Sequence, residues 1–151
     1  MSNSVVTTSL ESISPVYTLS IASKLSGIPL HSIRQYIDKG LIIPHKKDSR
    51  QHLFSKVDIL RLNYIRKQLN EQGLNINGIK ALMALIPCWV IRSCTTNDRN
   101  QCHAYYSVTC PCWEASEKGQ ECKNMNCREC NVYRILEKNQ DLKSLLKILI
   151  K

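Results

Sequence analysis

The sequence predicts a mainly α-helical fold in which two short helices and a small β-hairpin come first, and a cysteine-rich segment and a final helix follow. Two observations predict this order. Apolar residues recur at helical spacing in the first 86 residues, and this periodicity disappears between residues 87 and 131. All 8 cysteines lie in that aperiodic stretch. We therefore divide the chain into a flexible tail, 1–15, a helical domain, 16–86, a cysteine-rich segment, 87–131, and a C-terminal amphipathic helix, 132–151.

The chain is basic, with a formal net charge of +9 and a pI near 9.3. The residues before Pro87 carry 11 Lys and Arg against 5 Asp and Glu, a net of +6, and the remainder carries 10 against 7, a net of +3. An excess of this size favours a polyanionic partner, most commonly nucleic acid. No apolar run approaches the roughly 20 residues of a membrane span, and a signal-peptide pattern is missing from the N-terminus. We expect a cytoplasmic protein with no membrane partner.

Two short helices separated by a tight turn are predicted near the start. The first runs from about Thr18 and ends at Gly27, and the second runs from about His31 to Lys39, where Gly40 ends it. This arrangement predicts a helix–turn–helix motif.

A basic hairpin is predicted next. The polar residues 45–52 lie between two apolar runs, Leu41–Pro44 and Leu53–Phe54, so they are expected to form its loop. Beside a helix–turn–helix, such a hairpin would be a wing.

Two further helices follow the hairpin. Ser55 and Asp58 fit the capping box that opens a helix, which should stop at Gly73. Asn75 is expected to cap the next helix, 76–86, before Pro87.

The order of residues in this region is similar to one known family. The residues that carry the likeness are Tyr17-Thr-Leu-Ser-Ile-Ala-Ser-Lys-Leu-Ser-Gly-Ile28, Ile33-Arg34-Gln35-Tyr36, Lys39-Gly40-Leu41, Pro44 and Leu74-Asn-Ile-Asn-Gly-Ile-Lys80. This pattern resembles MerR-family regulators, and within them the heat-shock-repressor branch called HspR, over residues 16–86. The resemblance implies a winged helix–turn–helix that binds double-stranded DNA as a homodimer, with RNA polymerase as a further partner.

The second helix and the wing supply the candidate DNA contacts. A recognition helix presents its first turns to the major groove, and cations of a wing neutralise phosphates. By resemblance, Arg34 reaches DNA and Tyr36 donates its hydroxyl to a phosphate. The alternatives are a salt bridge from Arg34 to Asp38, a core position for Tyr36 and a merely solvated hairpin. The predicted DNA-binding residues are His31, Ser32, Arg34, Gln35, Tyr36, Lys46, Lys47, Arg50 and His52, of which His52 stands where the family usually has arginine.

The cysteine-rich segment predicts a bound metal centre. Its large apolar residues are too few to offset about 1.5 kcal/mol of ordering entropy per residue, whereas a structural zinc site supplies about 10–16 kcal/mol in peptides. In a reducing compartment, clustered cysteines are more often metal ligands than disulfides. The predicted ligands are Cys88, Cys94, Cys102, Cys112, Cys122, Cys127 and Cys130.

The identity of the centre stays open between two metals. Only Cys127 and Cys130 have the two-residue gap of a zinc knuckle, and irregular spacings with aromatic neighbours favour an iron–sulfur cluster. We therefore expect an iron–sulfur cluster, with zinc as the alternative and disulfides or free thiols as the remainder. The spacing resembles a small Cys-Trp module appended to bacterial sensory and regulatory proteins, in which Cys110 is additional.

These features predict a sequence-specific transcriptional regulator, a homodimer on an inverted repeat whose metal centre acts as a redox or metal sensor. An enzyme is not expected, because phosphate-binding glycine loops and catalytic triads are absent and no thioredoxin-like frame precedes Cys127 and Cys130. The alternatives are an adaptor with a structural zinc site and a thiol redox protein.

Overall fold

A computed structural model of the chain describes residues 13–47, 51–138 and 141–150. The chain divides into two compact units, residues 1–66 and 67–151. Within the described ranges, no helix is both long and apolar enough to cross a bilayer. Most of the tail predicted for residues 1–15 lies outside the described residues, and the domain boundaries predicted at residues 86 and 131 stay predictions.

The first unit contains the two predicted short helices, α1 (Leu19–Ser26) and α2 (Leu30–Asp38). The Thr18 hydroxyl caps α1 by accepting a hydrogen bond from the backbone N–H of Ile21, at 3.3 Å. Gly27 ends α1 with a φ of 71°, a left-handed conformation that favours glycine. The chain therefore turns sharply between the helices, as a helix–turn–helix requires.

A three-stranded antiparallel sheet accompanies these helices. Its strands are β1 (Tyr17–Thr18), β2 (His45–Lys47) and β3 (Gln51–Phe54), in the order β1-β3-β2. The sequence had predicted a strand in 41–44 and a loop over 45–52, and this part of the prediction is wrong. Leu41 and Ile42 are instead buried in the core directly after α2, so pairing begins only beyond Pro44.

The helix α3 (Lys56–Asn70) begins in the first unit and continues across the division between the units. Its start is the predicted capping box, because Ser55 N–H donates to Asp58 Oδ2 at 2.7 Å and Asp58 N–H donates to Ser55 Oγ at 3.3 Å. Arg61 Nε donates to the Leu41 carbonyl at 2.8 Å, which fixes the segment after α2 against α3. The buried apolar residues of this unit include Ala22, Ile28, Ile33, Tyr36, Leu41, Ile42, Phe54, Leu62 and Ile65.

The second unit is built from short helices. The first is α4 (Ile76–Ala84), which Asn75 caps by accepting from the N–H of Gly78 at 2.7 Å, as predicted. The cysteine-rich segment then forms α5 (Cys88–Ile91), α6 (Thr96–Asn100), α7 (His103–Tyr106) and α8 (Gln120–Lys123), with 3₁₀ turns at Cys112–Glu114 and Cys127–Glu129.

The C-terminal residues form two helices where the sequence had predicted one, over 132–151. These are α9 (Asn131–Lys138) and α10 (Leu142–Leu149). Asp141 has an extended backbone and caps α10, accepting from the N–H of Ser144 at 2.7 Å and from its hydroxyl at 2.9 Å. An N-cap is non-helical by definition, so the two helices are separate.

Candidate nucleic-acid interface and cysteine cavity

The helix α2 has one buried and one polar exposed face. Ile33 and Tyr36 are buried, whereas His31, Arg34 and Gln35 are exposed and Ser32 is half-buried. This division follows from helical spacing, because residues three apart share a face. The exposed face therefore carries hydrogen-bonding groups that are not needed by the core.

An open groove of about 470 Å³ lies between this helix and the sheet. Arg34 and Asp38 line it from α2, and His52 lines it from β3. Among the described residues, Arg34 has no ion-pair partner, so the salt bridge to Asp38 that was its alternative role is not formed. The Arg34 guanidinium is thus available to an external ligand.

The described part of the wing places a second cation near the groove. Lys46 of β2 pairs with His52 of β3, and directly opposed residues on antiparallel strands point to the same face of a sheet. Lys46 is exposed. Lys47 continues β2, and Arg50 lies outside the described residues. Arg34 and His52 thus line one groove, and Lys46 points to the same face of the sheet as His52.

Tyr36 is buried, with only 6% of its surface exposed. Burial raises the pKa of its phenol, and the positive charge of Arg66 offsets part of that rise. The structure thus gives the side chain a core position, which was the alternative to a phosphate contact. A phosphate contact by its hydroxyl stays a prediction.

In the second unit, a cavity of about 40 Å³ is lined by the cysteines that the sequence singled out as metal ligands. Almost no polar surface faces it. Cys110 is not among its lining residues, and the Cys110 thiol contacts the Pro111 carbonyl at 3.6 Å instead. The thiols that line the cavity are Cys88, Cys94, Cys102, Cys112, Cys122, Cys127 and Cys130.

Two cations stand beside these thiols. Lys118 Nζ donates to Cys127 Sγ at 3.1 Å. Burial lowers the pKa of Lys118, but the hydrogen bond and charge of Cys127 outweigh burial and leave the pKa raised. Arg92 pairs with Glu121 at 3.2 Å and also lowers the pKa of Cys122 against the larger effect of burial. Sequence reasoning missed both cations, because nothing in their local sequence marks them as neighbours of cysteine.

The thiols are also close enough to influence one another. Burial, followed by the neighbouring Cys102 and Cys94, raises the pKa of Cys88 to about 11. Burial and then Cys88 and Cys130 raise the pKa of Cys112. Without a metal, Cys88 and Cys112 would hold their protons at neutral pH, so a metal that binds these two thiols must displace their protons.

The thiols that line the cavity do not form a ready site for one metal ion. Within residues 13–47, 51–138 and 141–150, no three Cys, His, Asp or Glu side chains are placed to hold a single ion. Tetrahedral zinc, with Zn–S bonds of about 2.3 Å, would bring its sulfurs to about 3.8 Å from one another. The cysteines instead line a space, although soft thiolate donors suit zinc and iron–sulfur centres alike.

Comparison with known proteins assigns the first part of the chain. Residues 17–86 match the family described as MerR HTH family regulatory protein. These residues are a MerR-type helix–turn–helix domain. The seven cavity cysteines lie outside the match, so the family adds nothing about them.

Curated proteins are similar to the chain over the MerR-type domain. The chain is 35% identical over 71 residues to "Putative heat shock protein HspR" of Streptomyces coelicolor, covering 47% of each chain. It is 32% identical over 71 residues to "HTH-type transcriptional regulator GlnR" of Bacillus anthracis and of Bacillus cereus, covering 47% of this chain and 54% of each relative. The matched stretch therefore spans about half the length of these relatives.

Proposed function

We propose that this protein is a sequence-specific DNA-binding transcriptional regulator. The observation that carries the proposal is the exposed polar face of α2 lying beside the basic wing of a MerR-type domain. The name of the GlnR relatives, "HTH-type transcriptional regulator", supports it.

The chemistry of the surface suits duplex DNA. Arginine and glutamine side chains on the first turns of a recognition helix read base edges in the major groove, and Arg34 and Gln35 are exposed there. Lysine on a wing neutralises phosphates whatever the base sequence, and the exposed position of Lys46 opposite His52 supports this role. The helix would thus provide sequence specificity, and the wing would add affinity that does not depend on sequence.

The proposed active species is a homodimer on an inverted repeat, with one recognition helix in each of two major grooves. The C-terminal helix supports self-association. Leu145 is packed within the chain, whereas Ile148 and Ile150 are 59% and 75% exposed. These two exposed residues are the better candidates for a dimer contact. RNA polymerase would be a further partner on a promoter.

The cysteine cavity is the proposed sensor. We favour an iron–sulfur cluster, with zinc as the alternative, held by the seven thiols that line the cavity. Such a centre would supply cross-links that order the segment and, for iron, one-electron chemistry. Gain or loss of the centre would change the affinity of the protein for DNA.

The DNA-binding proposal is tested by Arg34→Ala. Full-length protein purified without oxygen is titrated with duplexes selected from a random library, at low and at physiological ionic strength. Loss of one good base contact costs about 1–3 kcal/mol, so we expect selected-site binding to weaken about 5- to 150-fold. Lys123→Ala, which removes one exposed positive charge in the second unit, is the matched control and should bind like the parent.

Failure of the parent protein to bind duplex DNA at low ionic strength, with its metal intact, would defeat the regulator proposal. Binding that is equally insensitive to Arg34→Ala and Lys123→Ala would remove α2 from the interface. An adaptor would not bind duplex DNA. A thiol redox protein would also fail to bind DNA but would turn over disulfides.

A further inference from the structure

The cysteine-rich segment contains one local arrangement twice. Pro-Cys-Trp occurs at Pro87–Trp89 and again at Pro111–Trp113. A Cys followed three residues later by Tyr occurs at Cys102–Tyr105 and again at Cys130–Tyr133. We call residues 87–105 the first half and residues 111–133 the second half.

The two halves have the same aromatic geometry. In the first, the rings of Trp89 and Tyr105 meet edge to face, with centroids 5.4 Å apart and planes at 89°. In the second, the rings of Trp113 and Tyr133 meet edge to face at 5.1 Å, also at 89°. Each Pro-Cys-Trp begins a short helical turn with proline as its N-cap. Each Cys-x-x-Tyr has cysteine directly before a helix.

Both halves deliver their thiols to the same cavity. The 3₁₀ turn Cys112–Glu114 of the second half packs against α7 of the first half, and α9 packs against α5. The first half supplies Cys88, Cys94 and Cys102, and the second half supplies Cys112, Cys122, Cys127 and Cys130. A ligand in this cavity would therefore touch both halves.

The size and surface of the cavity restrict what that ligand is. Its thiols are not placed to hold one ion, yet they enclose a space of about 40 Å³, more than the 10–15 Å³ that one water molecule needs. Its wall is almost without polar groups, and apolar cavities do not retain water well. A polynuclear centre with bridging sulfide fills such a space with soft atoms, and thiolate is its usual ligand.

The cavity is lined by two cations, Lys118 and Arg92, and by two carboxylates, Asp98 and Glu121, and Glu121 is paired with Arg92. A centre with several thiolate ligands carries net negative charge, and Lys118 already contacts Cys127 Sγ at 3.1 Å. Arg92 lines the same cavity, and its Nε is buried without a hydrogen-bond partner among the described residues. An unpartnered buried N–H is costly unless a ligand completes it.

We propose that one polynuclear iron–sulfur cluster binds across the two halves, with thiolate ligands from both and with Lys118 and Arg92 as positioning residues. This inference rests on the sensor part of the proposed function. Each ligating thiol would lose its proton to solvent as its sulfur bonds to iron. The cluster would thereby join two repeated halves that share little apolar core.

Metal analysis of anaerobically purified full-length protein tests the inference first. We expect more than one iron per chain, acid-labile sulfide in nearly equal amount, and broad visible absorption. Zinc without sulfide, or protein free of metal, would overturn it.

Matched cysteine substitutions test the bridging arrangement. Cys112→Ser should lose most of the iron and sulfide, whereas Cys110→Ser, two residues away but outside the cavity, should keep both. Loss should also follow substitution in either half, as in Cys102→Ser and Cys130→Ser. Full iron content in a variant that has lost all three first-half thiols would overturn ligation across the halves.

Lys118→Met provides a test that does not depend on removing a ligand. The variant should retain iron but show a lower reduction potential than the parent, because the more negative reduced state loses a neighbouring positive charge. Lys123→Met should leave the potential unchanged, since Lys123 is exposed on α8 and does not line the cavity. Equal reduction potentials in Lys118→Met and Lys123→Met would show that Lys118 does not act on the cluster.

Duplex binding measured on the same preparations separates the two proposals. Iron and sulfide without DNA binding would defeat the regulator proposal alone. DNA binding by a zinc-containing, sulfide-free protein would defeat the cluster alone.

Discussion

Tyr36 shows that resemblance and packing can assign different roles to one residue. The family likeness implies that its hydroxyl reaches a phosphate, whereas the structure buries the side chain next to Ile33 on the inner face of α2. The two roles are separable, because the ring stabilises the fold and only the hydroxyl could contact DNA.

We expect Tyr36→Ala to lower the free energy of unfolding by about 3–5 kcal/mol, the cost of truncating a buried aromatic side chain. Tyr36→Phe should cost far less, since it keeps the ring, and any loss of DNA affinity in that variant isolates the hydroxyl. Urea denaturation followed by circular dichroism measures the first effect. An alanine variant as stable as the parent would show that Tyr36 is not part of the core.

At the scale of single elements, the local sequence was sufficient to predict where a helix begins if a capping residue marks its start. The Ser55–Asp58 box and the Asn75 cap could be located from the sequence and are formed as expected. The position of β2 could not, because Leu41 and Ile42 look like strand residues but are drawn into a core built by distant residues. Pairing with residues 51–54 then selects the basic residues 45–47.

The break before α10 was missed because apolar residues recur at helical spacing on both sides of it, at Ile135, Leu142, Leu145 and Leu149. Asp141 decides the structure there, and a single capping carboxylate is a weaker signal than a stripe of apolar residues. Hydrogen bonds from the backbone and side chain of Ser144 lower the pKa of Asp141 below its ordinary value near 3.8.

This lowered pKa gives α10 an acid-dependent stability. A carboxyl whose pKa is depressed on folding stabilises the helix above its unfolded pKa, and that stabilisation is lost as pH falls through the folded value. We expect backbone amides in the first turn of α10 to exchange faster with solvent as pH falls below about 4, after correction for intrinsic exchange. Asp141→Asn should keep the cap but abolish this dependence, because asparagine caps as well and does not titrate. If the asparagine variant kept the same pH profile, the pH dependence of exchange would belong to another titrating group.

At the scale of the molecule, the clustering of cysteines in the sequence was enough to group the seven that line the cavity, and the resemblance to the Cys-Trp module left Cys110 aside. What the sequence could not supply is their surroundings. Lys118 and Cys127 are nine residues apart, yet their side chains touch, and this contact depends on the fold of the whole segment. The repetition of Pro-Cys-Trp corresponds to a repeated structure only in the folded segment, where each tryptophan packs edge to face against a tyrosine.

Removal of the metal should affect the two units differently. Between Cys88 and Cys130 the buried side chains are few, Ala104 and Trp113 among them, so this segment should become susceptible to proteases in metal-free protein. The first unit contains no cysteine and should stay resistant. Limited proteolysis with mass mapping measures both. Equal cleavage rates with and without metal would show that the segment is ordered by its own packing.

The positions of Trp89 and Trp113 have a practical consequence. They are the 2 tryptophans of the chain, and each contacts a tyrosine in its own half of the cavity-forming segment. Indole fluorescence from the protein therefore comes entirely from residues beside the thiols. It does not report on the winged domain. Quenching of that emission would follow occupancy of the cavity in real time, without any attached label.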